Sequence, residues 1–95
     1  MKGIHSESTD RLFKALLSLS TVDECYDLFE DLCTVKEIRD MSQRLEVAGL
    51  LKHGLSYQKV SELTNVSSAT ISRVKRCLDY GSGGYDKALE ALEVK

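Results

Sequence analysis

Between Ser56 and Leu78 the apolar positions are Val60, Leu63, Val66, Ile71, Val74 and Leu78, with mostly small or polar residues between them. Ile71, Val74 and Leu78 recur at intervals of three and four, the one-face period of an amphipathic helix, so the stretch predicts two short helices that bury a shared seam. Ser56 and Ser67 stand where each helix would begin, and a short hydroxyl side chain there accepts hydrogen bonds from the unpaired amides of a first turn. Thr64-Asn65-Val66 has to reverse the chain between the two helices. Asn tolerates the left-handed backbone of such a pivot better than any residue except Gly.

The same periodicity organises the rest of the chain. Met1 to Glu7 is polar and aperiodic, which predicts a flexible arm over residues 1–7 ahead of one helical domain over 8–95. Leu12, Phe13, Leu16, Leu17 and Leu19 form the stripe of a first helix, with Ser8 or Thr9 as its cap. Thr21-Val22-Asp23-Glu24 has the spacing of a capping box, and the second helix it opens places Val22, Cys25, Tyr26, Phe29, Leu32 and Cys33 on one face and acids on the other. A second capping box, Thr34-Val35-Lys36-Glu37, opens a helix running to about His53, roughly 30 Å long, with Gly54 as its stop. Ile38, Met41, Leu45 and Ala48 form one apolar row on this helix, and Val47, Leu50 and Leu51 form another. Two rows require two packing partners, more than one small domain readily provides, which points to a dimer. After the glycine-rich Tyr80-Gly81-Ser82-Gly83-Gly84, the residues Tyr85, Ala88, Leu89 and Leu92 predict a short sixth helix.

Charge changes the picture of the hairpin. The formal net charge of the 95 residues is -2, which by itself argues against a nucleic-acid binder. Yet Met1 to Leu51 carries six Lys/Arg and ten Asp/Glu, whereas Lys52 to Tyr80 carries five and two. The positive charge is therefore concentrated on the hairpin. With Ser67 at the start of the second hairpin helix, Ser67, Ser68, Ala69 and Ser72 fall opposite Ile71 and Val74. Short side chains let a helix sink into a DNA major groove, about 12 Å wide, and their hydroxyls and methyls read base edges there. Gln58, Lys59 and Arg76 would hold phosphates, with Lys75 near them. Thr70 would face the groove, and Arg73 would reach a guanine edge or a phosphate. The pattern over residues 56–78 is thus that of a helix-turn-helix docking on double-stranded DNA. The alternative, a protein–protein interaction module, uses the same helical hairpin without the basic face.

Other chemistries find little support. Three cysteines without C-x-x-C spacing are expected as buried free thiols, and His5 and His53 match no metal-ligand spacing. No nucleophile–base pair or paired catalytic carboxylates can be picked out, so no enzymatic activity, cofactor or metal is expected. Without a membrane-length apolar run or a hydrophobic signal segment, a cytoplasmic protein with no membrane partner is expected.

DLCTVKEIRDMSQRLEVAGLL and ATISRVKRCLDYG, together with six helices of which the third is long, resemble the Trp repressor superfamily and more closely its YerC/YecD-type members, over roughly Leu12 to Leu92. The resemblance implies a cytoplasmic transcriptional regulator built as an intertwined homodimer on a palindromic operator. It also implies a small-molecule corepressor site, for which Arg44 and Arg73 match two arginines that sandwich an indole, and Thr34 matches a threonine that helps hold a carboxylate. The plainer reading pairs Arg44 with Glu46 or an acid of the second helix, leaves Thr34 as a cap and leaves Arg73 to phosphate. Val74 departs from the family pattern by standing where the repressor has a glycine beside the ring. Cys77 replaces a serine whose backbone carbonyl, retained here, helps bind the ligand. The expectation is an effector of unknown identity that is not tryptophan.

Overall fold

The computed structural model describes residues 2–93. Among the described residues, six α-helices follow one 3-10 turn at Lys2–Ile4 and there is no strand. The Met1 end of the expected arm lies outside the described residues, as do the last two positions of the chain. Contacts divide the chain into two compact units, Met1–Ile38 and Arg39–Lys95.

The first unit contains α1 (Glu7–Leu17), α2 (Val22–Leu32) and the first turn of α3 (Val35–Lys52). The cap of α1 is Ser6, not Ser8 or Thr9. Its extended backbone lets Oγ accept from the Thr9 amide at 3.0 Å, and Glu7 and Asp10 occupy the first turn, where carboxylates suit the helix dipole. Both expected capping boxes are present. Thr21 Oγ1 accepts from the Glu24 amide at 3.1 Å while Glu24 Oε1 accepts from the Thr21 amide at 3.1 Å. At the start of α3, Thr34 Oγ1 accepts from the Glu37 amide at 3.1 Å and Glu37 Oε1 accepts from the Thr34 amide at 2.8 Å. Donation to the Glu37 carboxyl from the Thr34 amide, and then from the Thr34 hydroxyl, holds it below its usual pKa.

Neither α1 nor α2 contains a buried residue. Their apolar stripes form as the sequence predicts but remain open in the single chain: Leu17 is 83% exposed, Val22 71% and Tyr26 59%. Cys25 is also exposed and Cys33 half-buried, and in the other unit Cys77 is exposed, so the thiols are not buried as expected.

Among the described residues, the buried core lies in the second unit. Val47 and Ala48 of α3, Val60 of α4 (Tyr57–Thr64), and Ile71 and Val74 of α5 (Ser68–Tyr80) are at most 1% exposed. Leu50, Leu51, Leu55, Val66 and Leu78 pack around them, joined by Tyr85 and Leu89 of α6 (Gly84–Glu93). The two apolar rows of α3 converge here, because adjacent Val47 and Ala48 both point inward, whereas Met41 stays 37% exposed. Leu63, expected in the hairpin seam, is 55% exposed, and Leu92 of α6 is 66% exposed.

Glycine shapes two of the joints. Gly54, with φ at 89°, ends α3; its amide bonds to the Leu51 carbonyl at 3.0 Å and the Leu55 amide to the Leu50 carbonyl at 3.3 Å, the paired bonds of a Schellman cap. At the end of α5, a Cβ on Gly81 would collide with the Cys77 carbonyl oxygen. The α6 helix is then tied to the end of α3 by Lys52 Nζ and Asp86 Oδ1 at 2.7 Å, a contact that raises the Lys52 pKa through the hydrogen bond and then the opposite charge.

Candidate nucleic-acid interface

The α4–α5 hairpin is built by local hydrogen bonds that its sequence supplies. Ser56 Oγ accepts from the Lys59 amide at 3.1 Å and starts α4. The pivot is Asn65, the one non-glycine residue with positive φ among the described residues, at φ 58° and ψ 19°. Its amide bonds back to the Ser61 carbonyl at 2.9 Å. Thr64 braces the turn, since its hydroxyl donates to the Val60 carbonyl at 2.7 Å and accepts from the Val66 amide at 3.4 Å. Ser67 then caps α5, with Oγ accepting from the Thr70 amide at 3.2 Å. Fixed at both ends, the turn leaves α5 one orientation on the core.

That orientation separates two faces. Ile71 and Val74 are buried, while Ser67, Ser68, Ala69, Ser72, Arg73 and Arg76 are exposed and Thr70 is half-buried. Gln58 and Lys59 are exposed on the first turn of α4, and Lys59 Nζ lies 4.0 Å from Glu62. Arg73 and Arg76 carry no ion pair among the described residues. The residues expected from the sequence to face DNA are thus carried on one hairpin, where Arg73 and Arg76, unpaired among the described residues, stand with several small side chains.

Lys75 differs from the expectation. Its ammonium is held by Asp79 at 3.1 Å, one turn further along α5. Beside this pair is a cleft of about 410 Å³ lined by Tyr57, Ser72, Lys75, Arg76, Asp79 and Tyr80. Neither tyrosine stands out in the sequence as a surface residue. The available signal was the spacing of Ser68, Ser72 and Arg76 at four residues, which carries the small-residue face into the cleft.

The residues matched to an effector site stand as follows. Thr34 is exposed, with its hydroxyl engaged as the α3 cap. Arg44 is half-buried and, among the described residues, has no ion pair with Glu46 or any other acid. Arg73 is exposed, and Val74 next to it is 1% exposed within the core.

Among the described residues the chain is thus all-α, six helices with a capped hairpin that displays small side chains beside Arg73 and Arg76. Residues 7–93 match the family model described as Trp repressor protein. The uncharacterized protein YerC of Bacillus subtilis (strain 168) is 48% identical over 90 residues, covering 95% of this chain and 86% of that protein. The crystal structure of a TrpR-like protein from Eubacterium eligens ATCC 27750 superposes with a TM-score of 0.92 at 47% identity, over 97% of this chain and 95% of the other. A crystal structure of a candidate Trp repressor from Staphylococcus aureus gives a TM-score of 0.93 at 41% identity, over 100% of this chain and 97% of the other. The chain belongs to the Trp repressor family.

Proposed function

We propose that this chain is a sequence-specific DNA-binding transcriptional regulator, acting as a repressor in the cytoplasm, with α4–turn–α5 as its helix-turn-helix. The observation that carries the reading is the division of α5: Ile71 and Val74 are buried, whereas Ser68, Ala69 and Ser72 are exposed together with Arg73 and Arg76, which are unpaired among the described residues. A helix so divided can enter the major groove without losing its core contacts. Ser67, Ser68, Ala69, Thr70 and Ser72 meet base edges, Arg73 reaches a guanine edge or a phosphate, and Gln58, Lys59 and Arg76 hold the strand backbones.

The functional species is a homodimer. α1 and α2 contain no fully buried residue in the single chain, while Leu12, Phe13, Leu17, Val22, Tyr26 and Leu32 are all at least 36% exposed. Apolar surface of that extent calls for a second chain, and two-fold pairing presents two hairpins to a palindromic operator. Tryptophan is not the effector, because the Val74 side chain occupies a filled core position where the ring would need space. Selection of bound fragments from genomic DNA tests the function: enrichment of one palindromic motif supports it, and uniform recovery of all fragments overturns it.

A further inference from the structure

The cleft at the end of the reading face carries an inference that rests on, and deepens, the DNA-binding reading. Ser72 belongs both to the exposed face of α5 and to the cleft wall, so a strand contacted by Ser68 and Ser72 continues toward Arg76. Tyr57, from the first turn of α4, and Tyr80, at the end of α5 and 85% exposed, also line it. Its lining includes Arg76, which has no ion pair among the described residues, and Lys75, bound to Asp79 at 3.1 Å with both side chains a little over 40% exposed.

Asp79 adds little to the fold. A carboxylate in the last turn of a helix opposes the helix dipole, and an acid placed four residues after a lysine is the weaker of the two possible orders. Its clearest physical effect is on the cleft: it neutralises Lys75 and places a negative charge where an anion would enter.

We propose that this cleft seats a sugar-phosphate segment of one DNA strand just beyond the bases that face Ser68 and Ser72, and that Asp79 lowers affinity by holding Lys75 away from it. Arg76 meets the phosphate, the two tyrosines cover the sugar, and the Lys75–Asp79 pair has to open before Lys75 can contribute. Asp79 therefore tunes binding strength without reading sequence.

The test measures binding of the full-length protein to its selected operator and to an unrelated duplex across a range of salt. Asp79→Asn is expected to tighten binding to both duplexes roughly threefold at low salt and to steepen the log–log salt slope by about 0.9 for each Lys75 that gains a phosphate. In Asp79→Asn/Lys75→Met the added slope disappears, and Tyr80→Ala weakens both duplexes alike without changing the slope. Unchanged or weaker binding by Asp79→Asn, with its helical content and melting intact and with Ser68→Ala still altering sequence preference, overturns the cleft proposal and leaves the DNA reading standing. Failure of the unaltered protein to bind any duplex overturns both.

Discussion

Val74→Ala tests whether the centre of the second unit is as filled as the structure shows. Val74 is 1% exposed and belongs to a cluster with Val47, Ala48, Val60 and Ile71. Removing two buried carbons forfeits about 0.8 kcal/mol each in transfer free energy, and the void left in a core that cannot collapse onto it adds roughly 1 kcal/mol, for a total of about 2.5 kcal/mol. For a chain of this length that corresponds to a fall of roughly 10–20 °C in Tm. Circular dichroism melts at one fixed protein concentration make the comparison, because a dimer's Tm depends on concentration. A loss under about 1 kcal/mol would mean that the site is loosely filled, and the physical case against an indole there would fall with it. The same melts repeated with tryptophan should show no shift, whereas a site occupied at a hundred times its Kd would gain about 2.7 kcal/mol.

Asn65→Gly removes the steric cost of the left-handed pivot at φ 58° and is expected to raise stability by up to about 1 kcal/mol, while Asn65→Val lowers it, as read by urea denaturation. Ser67→Ala leaves the Thr70 amide without its acceptor and should cost about 1 kcal/mol in the same assay. The Glu37 carboxyl, held low by the Thr34 amide and then its hydroxyl, should titrate by NMR below an ordinary glutamate and move only part of the way back up in Thr34→Ala, which keeps the amide. Because its folded pKa is depressed, its contribution to stability is complete above the usual carboxylate range and is lost as the pH falls through the lowered value. Leu17→Asp, placed on the open stripe of α1, should convert the dimer to monomer in sedimentation; an unchanged mass would remove α1 from the interface.

The helices were readable because each carries its own start and stop signals. Thr21 with Glu24, and Thr34 with Glu37, form reciprocal capping pairs wherever the chain allows, and Asn65 is the one residue of its turn suited to a left-handed backbone. The start of α1 was placed late because Ser6, Ser8 and Thr9 are chemically equivalent caps. Only the backbone decides, and Ser6 is the one that reaches the Thr9 amide. Burial was harder to read than helicity. Periodicity finds an apolar stripe but not what covers it, so Leu63, Leu92 and Cys25 fall on the proper faces and still lie open in the single chain. The exposed face of α5 was visible from spacing at Ala69, Ser72 and Arg76, which turn away from Ile71 and Val74 on a regular helix, whereas Ser68, one turn before Ile71, is exposed as the first residue of the helix. The cleft was not, because Tyr57 and Tyr80 are brought to it from opposite ends of the hairpin by the turn between its helices.

The most direct measurement compares operator preference in the unaltered protein and in Ser68→Ala, using duplex libraries with every position of the selected motif varied. The groove-facing assignment predicts that the substitution relaxes or changes preference at one symmetric pair of positions and leaves the others and the salt slope as they were. Identical preference at every position in the two proteins would contradict it.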